Sequence, residues 1–177
     1  VIMSERTTGL ENSPWELLSE KLRAVAFEAS PYRWSVIGYD SDIRNWSRQD
    51  LRTYFETYYA PNNAVAVLVG DMTVDQVRSL AKTWFEPIPA HDPPRPVHAT
   101  EPNQIGEKRL WVHKDVSATH LLIAYHAPEA RSPEYYALDI LASILSEGKS
   151  SRLVRSLVDT RQVAVEVSAD CPRSFDR

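Results

Sequence analysis

Apolar residues recur along this chain at two spacings, and turn residues mark where one spacing gives way to the next. Ser13-Pro14-Trp15-Glu16 predicts a helix start: Ser13 caps, Pro14 suits the first turn and Glu16 completes a capping box. Trp15, Leu18, Leu22, Val25 and Ala26 then share one face, and Ser30-Pro31 ends the helix. PYRWSVIGYDSDI reads as irregular, with Gly38 its one flexible point. A second helix starts at Ser47, and Leu51, Tyr54, Phe55 and Tyr58 fall at i, i+3, i+4 and i+7, so one stripe is expected to be buried. Ala60-Pro61-Asn62-Asn63 breaks it. AVAVLV, residues 64–69, is apolar at every position and predicts a central strand covered on both faces.

A capping box at Thr73–Gln76 predicts a third helix with Val77, Leu80, Ala81 and Trp84 on its buried side. Six of the twelve prolines then crowd residues 87–102, which favours an extended, semi-rigid linker, placed here at 90–104. EKRLWVHKD and THLLIAYHAP read as two strands. Ser132-Pro133 opens a helix with Leu138, Leu141, Ala142 and Leu145 on one face, and a shorter helix spans 150–159. Val163, Val165 and Val167 alternate with polar or small residues, as in a strand with one buried face. Strands and helices mix without regular βαβ alternation, so the predicted class is α+β, in two partial domains.

Composition narrows the function classes. The chain has 177 residues, 43% hydrophobic and 25% charged, enough for a soluble protein with a core. A formal net charge of −4 weighs against nucleic acid as partner. No run of 18 apolar residues offers a membrane span. One cysteine, Cys171, excludes an internal disulfide and a cysteine-rich zinc site; it reads as a small apolar residue near a strand end.

The residues offer little self-contained chemistry. Gly148-Lys149-Ser150 resembles the tail of a phosphate loop, but position 143 is serine where the motif needs glycine, so a turn between helices is the better reading. Among the five histidines no pair has i, i+4 spacing, and His120 and His126 would lie about 20 Å apart on a strand, too far for one zinc ion. No Gly-x-Ser-x-Gly turn occurs. Asp40/Asp42 and Asp71/Asp75 suit turns and helix starts.

Five stretches in order, VIMSER, LRAVAFEASPYRWSVIGYDSDI, DLRTYFETYYAPNNAVAVLVGDMT, PNQIGEKRLWV and AYHAPEARSPEYYALDILASILSEGKSSRLVRSLVD, resemble the M16 zinc metallopeptidases, the insulinase, pitrilysin and processing-peptidase group. YYAPNNAVAVLVGD with the later GKSSRL carries most of the likeness. Ser30, before Pro31-Tyr32, stands where the family often has histidine.

The resemblance implies a fold of the LuxS and processing-peptidase metallohydrolase type: a two-layer mixed sheet with helices packed on one face. It implies that residues 1–89 are the C-terminal half of a metal-binding domain, 90–104 the linker, and 105–177 the N-terminal half of a following M16-like domain. VIMSER matches the family pattern that carries the third zinc ligand, which maps to Glu5. The inverted motif His-x-x-Glu-His, which supplies two histidine ligands and the general base, does not occur in these residues. The implied activity is therefore that of a longer parent: a Zn2+-dependent endopeptidase hydrolysing peptides or small proteins through a metal-activated water. The chain alone is expected to be inactive, with no catalytic residue of its own. The alternative is a non-catalytic M16-like partner or scaffold subunit that binds substrate without metal. Implied partners are a peptide or protein substrate and a second copy or an M16-like subunit; the compartment, cytoplasmic or periplasmic, is left open.

Overall fold

The computed structural model describes residues 1–174. Its elements follow the capping residues closely. α1 (Ile2–Arg6) runs into a π-helical turn at Thr7–Glu11. α2 (Pro14–Ala26) begins where Ser13 accepts the Glu16 amide on its side chain at 3.3 Å. A 3₁₀ turn follows at Pro31–Arg33, then α3 (Asp40–Asn45), in a stretch the residue pattern left irregular. α4 (Arg48–Tyr58) and α5 (Val74–Trp84) each open with a full reciprocal capping box, Ser47 with Asp50 and Thr73 with Gln76. α6 (Pro133–Ser146) carries proline in its first turn, and a π-helical segment spans Val154–Thr160.

The chain divides into two compact units. The first comprises Val1–Leu10 and Ser35–Ala99; the second comprises Glu11–Trp34 and the chain from Thr100 onward. In the first, α1 packs on α3. In the second, α2 packs on its own 3₁₀ turn, and the segment after the linker lies along it. Lys114 Nζ donates to the Glu11 carbonyl at 2.6 Å, the His120 ring lies tilted against Trp15 with centroids 5.5 Å apart, and His126 Nε2 lies 2.9 Å from the Ala26 carbonyl. At the other end of this unit, Tyr135 of α6 is buried and donates to the Cys171 carbonyl at 3.0 Å.

The α+β expectation is overturned: 46% of the described residues are helical and none lies in a strand. The two-layer mixed sheet is absent from the described residues with it. Segments 64–69, 107–115, 119–128 and 163–167 have the apolar residues of strands but no ladder. A strand is defined by a neighbouring backbone about 4.8 Å away that takes its N–H and C=O groups. Apolar patterning shows which residues want cover; it does not supply that neighbour. Val65, Val67 and Val69 are 92%, 83% and 91% exposed, so the segment expected to be covered on both faces is covered on neither.

The helical stripes meet the same fate in part. On α4, Leu51, Tyr54, Phe55 and Tyr58 are all exposed, and the aromatic rings pair along the helix instead, Tyr54 with Tyr58 at 4.6 Å and Phe55 with Tyr59 at 5.1 Å. Leu80 and Trp84 of α5 are exposed too. In α2 and α6, Leu18, Leu22, Val25, Leu138, Ala142 and Leu145 reach intermediate burial. Among the described residues only Leu10, Ala60 and Tyr135 are apolar and buried. No helix of the described residues is long and apolar enough to cross a membrane.

Candidate functional site

The residue that the sequence singles out, Glu5, sits on α1 and is exposed. Its neighbour Arg6 is buried, 6% exposed, and donates from Nη1 to the Gly38 carbonyl. Successive side chains on a helix diverge by about 100°. Turning Arg6 inward therefore turns Glu5 out. Gly38 is suited to receive it. Its φ is +82°, a conformation that residues with a Cβ rarely adopt, and an added Cβ would meet the Trp46 ring at 3.6 Å and Ile43 at 3.8 Å. Two residues on, Asp40 opens α3 and takes a two-point ion pair from Arg44 at 2.7 and 3.0 Å. The Arg44 hydrogen bond, aided by the charges of Arg44 and Arg6, holds the Asp40 carboxyl below its ordinary range despite desolvation. Glu5 thus stands on a short helix whose orientation is fixed by a buried cation and a glycine turn.

The chemistry of the donor set tests whether this chain holds a metal by itself. Among the described residues no group of three or more His, Cys, Asp or Glu is placed to bind one. Three of the five histidines are otherwise engaged. His91 exchanges hydrogen bonds through its backbone with the Asn62 side chain, at 2.8 and 3.2 Å, and its Nδ1 meets the Glu56 carbonyl. His120 and His126 face α2 as described, and His126 sits edge-on to Phe27, 5.2 Å away. Glu5 can supply one oxygen ligand; three protein ligands are needed for a catalytic zinc. A zinc site would therefore have to be completed by residues beyond the described ones.

The remaining candidates are structural. Gly148, with φ +76°, turns the chain after α6, and its carbonyl accepts the Ser151 amide at 3.2 Å, so Gly148-Lys149-Ser150 is a turn. Cys171 is half-buried; burial pushes its thiol pKa up, and Asp139 and Asp170 push it further, which favours the protonated thiol. It borders an open cleft of about 390 Å³ between α6 and residues 169–172, which Ser146 ties together by exchanging hydrogen bonds with Ala169 at 2.8 and 3.0 Å. Arg6 was not legible in the residue pattern, since a buried arginine within an apolar helix start gives no periodic signal. Glu101, whose carboxylate holds three backbone amides, was equally silent.

Comparison with known proteins places this geometry. The family model described as the peptidase M16 inactive domain matches residues 45–176. A protein named zinc protease PqqE from Helicobacter pylori is 36% identical over 168 residues, covering 93% of this chain and 38% of the relative. A mitochondrial-processing peptidase subunit beta from Lentinula edodes is 25% identical over 164 residues, 90% of this chain and 35% of that protein. The crystal structure of a protease from Helicobacter pylori superposes with a TM-score of 0.85 at 31% identity, over 99% of this chain and 43% of that one. The backbone therefore follows a protease's path even where its extended segments form no ladder. The chain spans less than half the length of these relatives. With a family model matched over most of its residues, the chain belongs to the peptidase M16 family.

Proposed function

We propose that this chain is part of a zinc-dependent endopeptidase that hydrolyses peptide bonds of peptides or small proteins. Within it, residues 1–89 would close a metal-binding domain and residues 105–177 would open the M16-like domain that follows. The observation that carries this reading is the 36% identity, over 93% of the chain, to a relative named a zinc protease. The exposed position of Glu5 on a braced helix supports it, because a ligand shared with residues elsewhere has to face outward. Zinc, when bound, supplies a Lewis acid that polarises the scissile carbonyl. The work of this chain is positioning. Glu5 offers a carboxylate oxygen, and Arg6, anchored on Gly38, fixes the direction from which it is offered. The exposed stripes of α4 and α5 and the uncovered 64–69 segment are surfaces for the rest of the parent chain to cover.

A second reading is a non-catalytic partner subunit that shapes a substrate chamber. The match of residues 45–176 to a domain described as inactive favours it for that stretch, and one relative is named as a subunit of a processing peptidase. The two readings part in a simple assay. The full-length parent is incubated with an unstructured peptide, with a zinc chelator, and with zinc restored. Cleavage that the chelator abolishes and zinc restores supports the peptidase. Peptide binding without cleavage, unchanged by chelation, supports the partner subunit.

A further inference from the structure

Glu101 stands directly after the proline-rich stretch, and its carboxylate accepts three consecutive backbone amides. Glu28 donates to Oε1 at 2.7 Å; Ala29 and Ser30 donate to Oε2 at 2.9 and 2.8 Å. These amides lie just beyond α2. The helix ends at Phe27, whose φ of −105° and ψ of 135° turn the backbone out of the helical path. Successive amides freed in this way form a concavity that holds an anion, and the anion here is part of the same chain. The surrounding charges secure the same turn. Lys108 Nζ pairs with the Glu28 carboxylate at 2.7 Å, and the Arg33 guanidinium donates to the Glu28 carbonyl at 2.6 Å. His126 lies close enough to add its charge to the field at Glu101.

The place matters because of how the chain is routed. It passes between the two units three times, at Leu10–Glu11, Trp34–Ser35 and Ala99–Thr100. Residues 28–30 precede the second passage by only a few positions, and Glu101 follows the third. We propose that Glu101 is a latch: it ties two of the three passages to one point of the second unit, and its release frees the proline-rich segment to move as a hinge.

Desolvation raises the pKa of this carboxyl, but the amides of Glu28, Ser30 and Ala29 together with His126 outweigh it and hold the value at about 2, against an ordinary 4.5. The folded value is the lower one. The latch is therefore fully present above pH 4.5 and is lost as pH falls towards 2.

The test uses the full-length parent protein with Glu101→Ala, Glu101→Gln and, as control, Glu107→Gln, whose exposed partner is Arg109. Amide exchange at residues 28–30, relative to intrinsic rates, is followed by NMR, alongside cleavage of 90–99 by a non-specific protease. Glu101→Ala is expected to lose about tenfold protection or more at the three amides, as hydrogen bonds to a charged group imply, and to be cleaved faster by a similar factor. Glu101→Gln, which keeps an acceptor without charge, falls between, and Glu107→Gln matches the parent chain. Unchanged exchange and cleavage in Glu101→Ala would overturn the proposal. If that variant loses its helical circular dichroism, Glu101→Gln decides by the same two readouts. If both unfold, the NMR titration of Glu101 in the unaltered full-length protein decides: a midpoint near the ordinary value would end the idea, and one near 2 sustains it.

Discussion

Glu5 and Arg6 are adjacent residues with opposite surroundings, and the difference follows from one backbone carbonyl. Gly38 can present that carbonyl to Arg6 because its φ is positive, at +82°. Gly38→Ala is expected to destabilise the protein by about 1–2 kcal/mol, the cost of forcing a Cβ into that region. Trp46 and Ile43, 3.6 and 3.8 Å from where the Cβ would stand, are at ordinary contact distance, so the cost lies in the backbone rather than in a clash. The thermal midpoint measured against the unaltered protein checks this; an unchanged midpoint would contradict the strained-turn account. Glu5 is legible in the sequence only through its resemblance to a family pattern, since nothing in composition or spacing marks an exposed glutamate on a five-residue helix. Arg6 and Glu101 are illegible for another reason. Their partners are backbone groups 32 and 71–73 residues away, and a carbonyl or amide carries no residue-type signature.

At the scale of elements, short-range chemistry reads well. Ser13, Ser47 and Thr73 each cap the helix that follows, because the cap and its N3 partner are three residues apart and need no tertiary help. Ser47→Ala removes the hydroxyl half of the α4 box, taking from Asp50 the chief contact that keeps its carboxyl below its ordinary range and leaving the backbone N–H of residue 47 as the other. A loss of about 1 kcal/mol in stability is expected, measured by denaturant unfolding with Ser47→Asp as a retained-cap control. An equal loss in the control would argue against capping as the cause. Extended segments read poorly by comparison. The residues of 64–69 satisfy every compositional preference of a strand, yet pairing depends on a second backbone that no local pattern specifies. α3 gives no periodic signal because DSDIRN has almost no apolar face; its Asp40–Arg44 pair at i, i+4 is the one local sign of a helix.

The whole molecule carries more uncovered apolar surface than a self-sufficient domain keeps. Trp84, Tyr54, Phe55 and Trp111 are between 58% and 80% exposed. Taken alone, the 177-residue chain is expected to bind a hydrophobic dye strongly and to self-associate as concentration rises. Sedimentation measures this, and a dye-silent monomer at high concentration would contradict it. The same isolated chain is expected to take up no stoichiometric zinc and to cleave no peptide, as metal analysis and a peptide assay would show. Tight zinc binding by the chain alone would contradict the reading that its donor set stops at one carboxylate.

The central claim, that Glu5 completes a zinc site in the parent protein, is tested most directly by metal content. The full-length protein and its Glu5→Gln and Glu11→Gln variants are purified side by side and titrated with zinc. A weakening of zinc affinity beyond about 100-fold in Glu5→Gln, exceeding the roughly 10–100-fold cost of losing an outer-shell partner, with Glu11→Gln unchanged, is the predicted result. Zinc bound as tightly by Glu5→Gln as by the unaltered protein would contradict it.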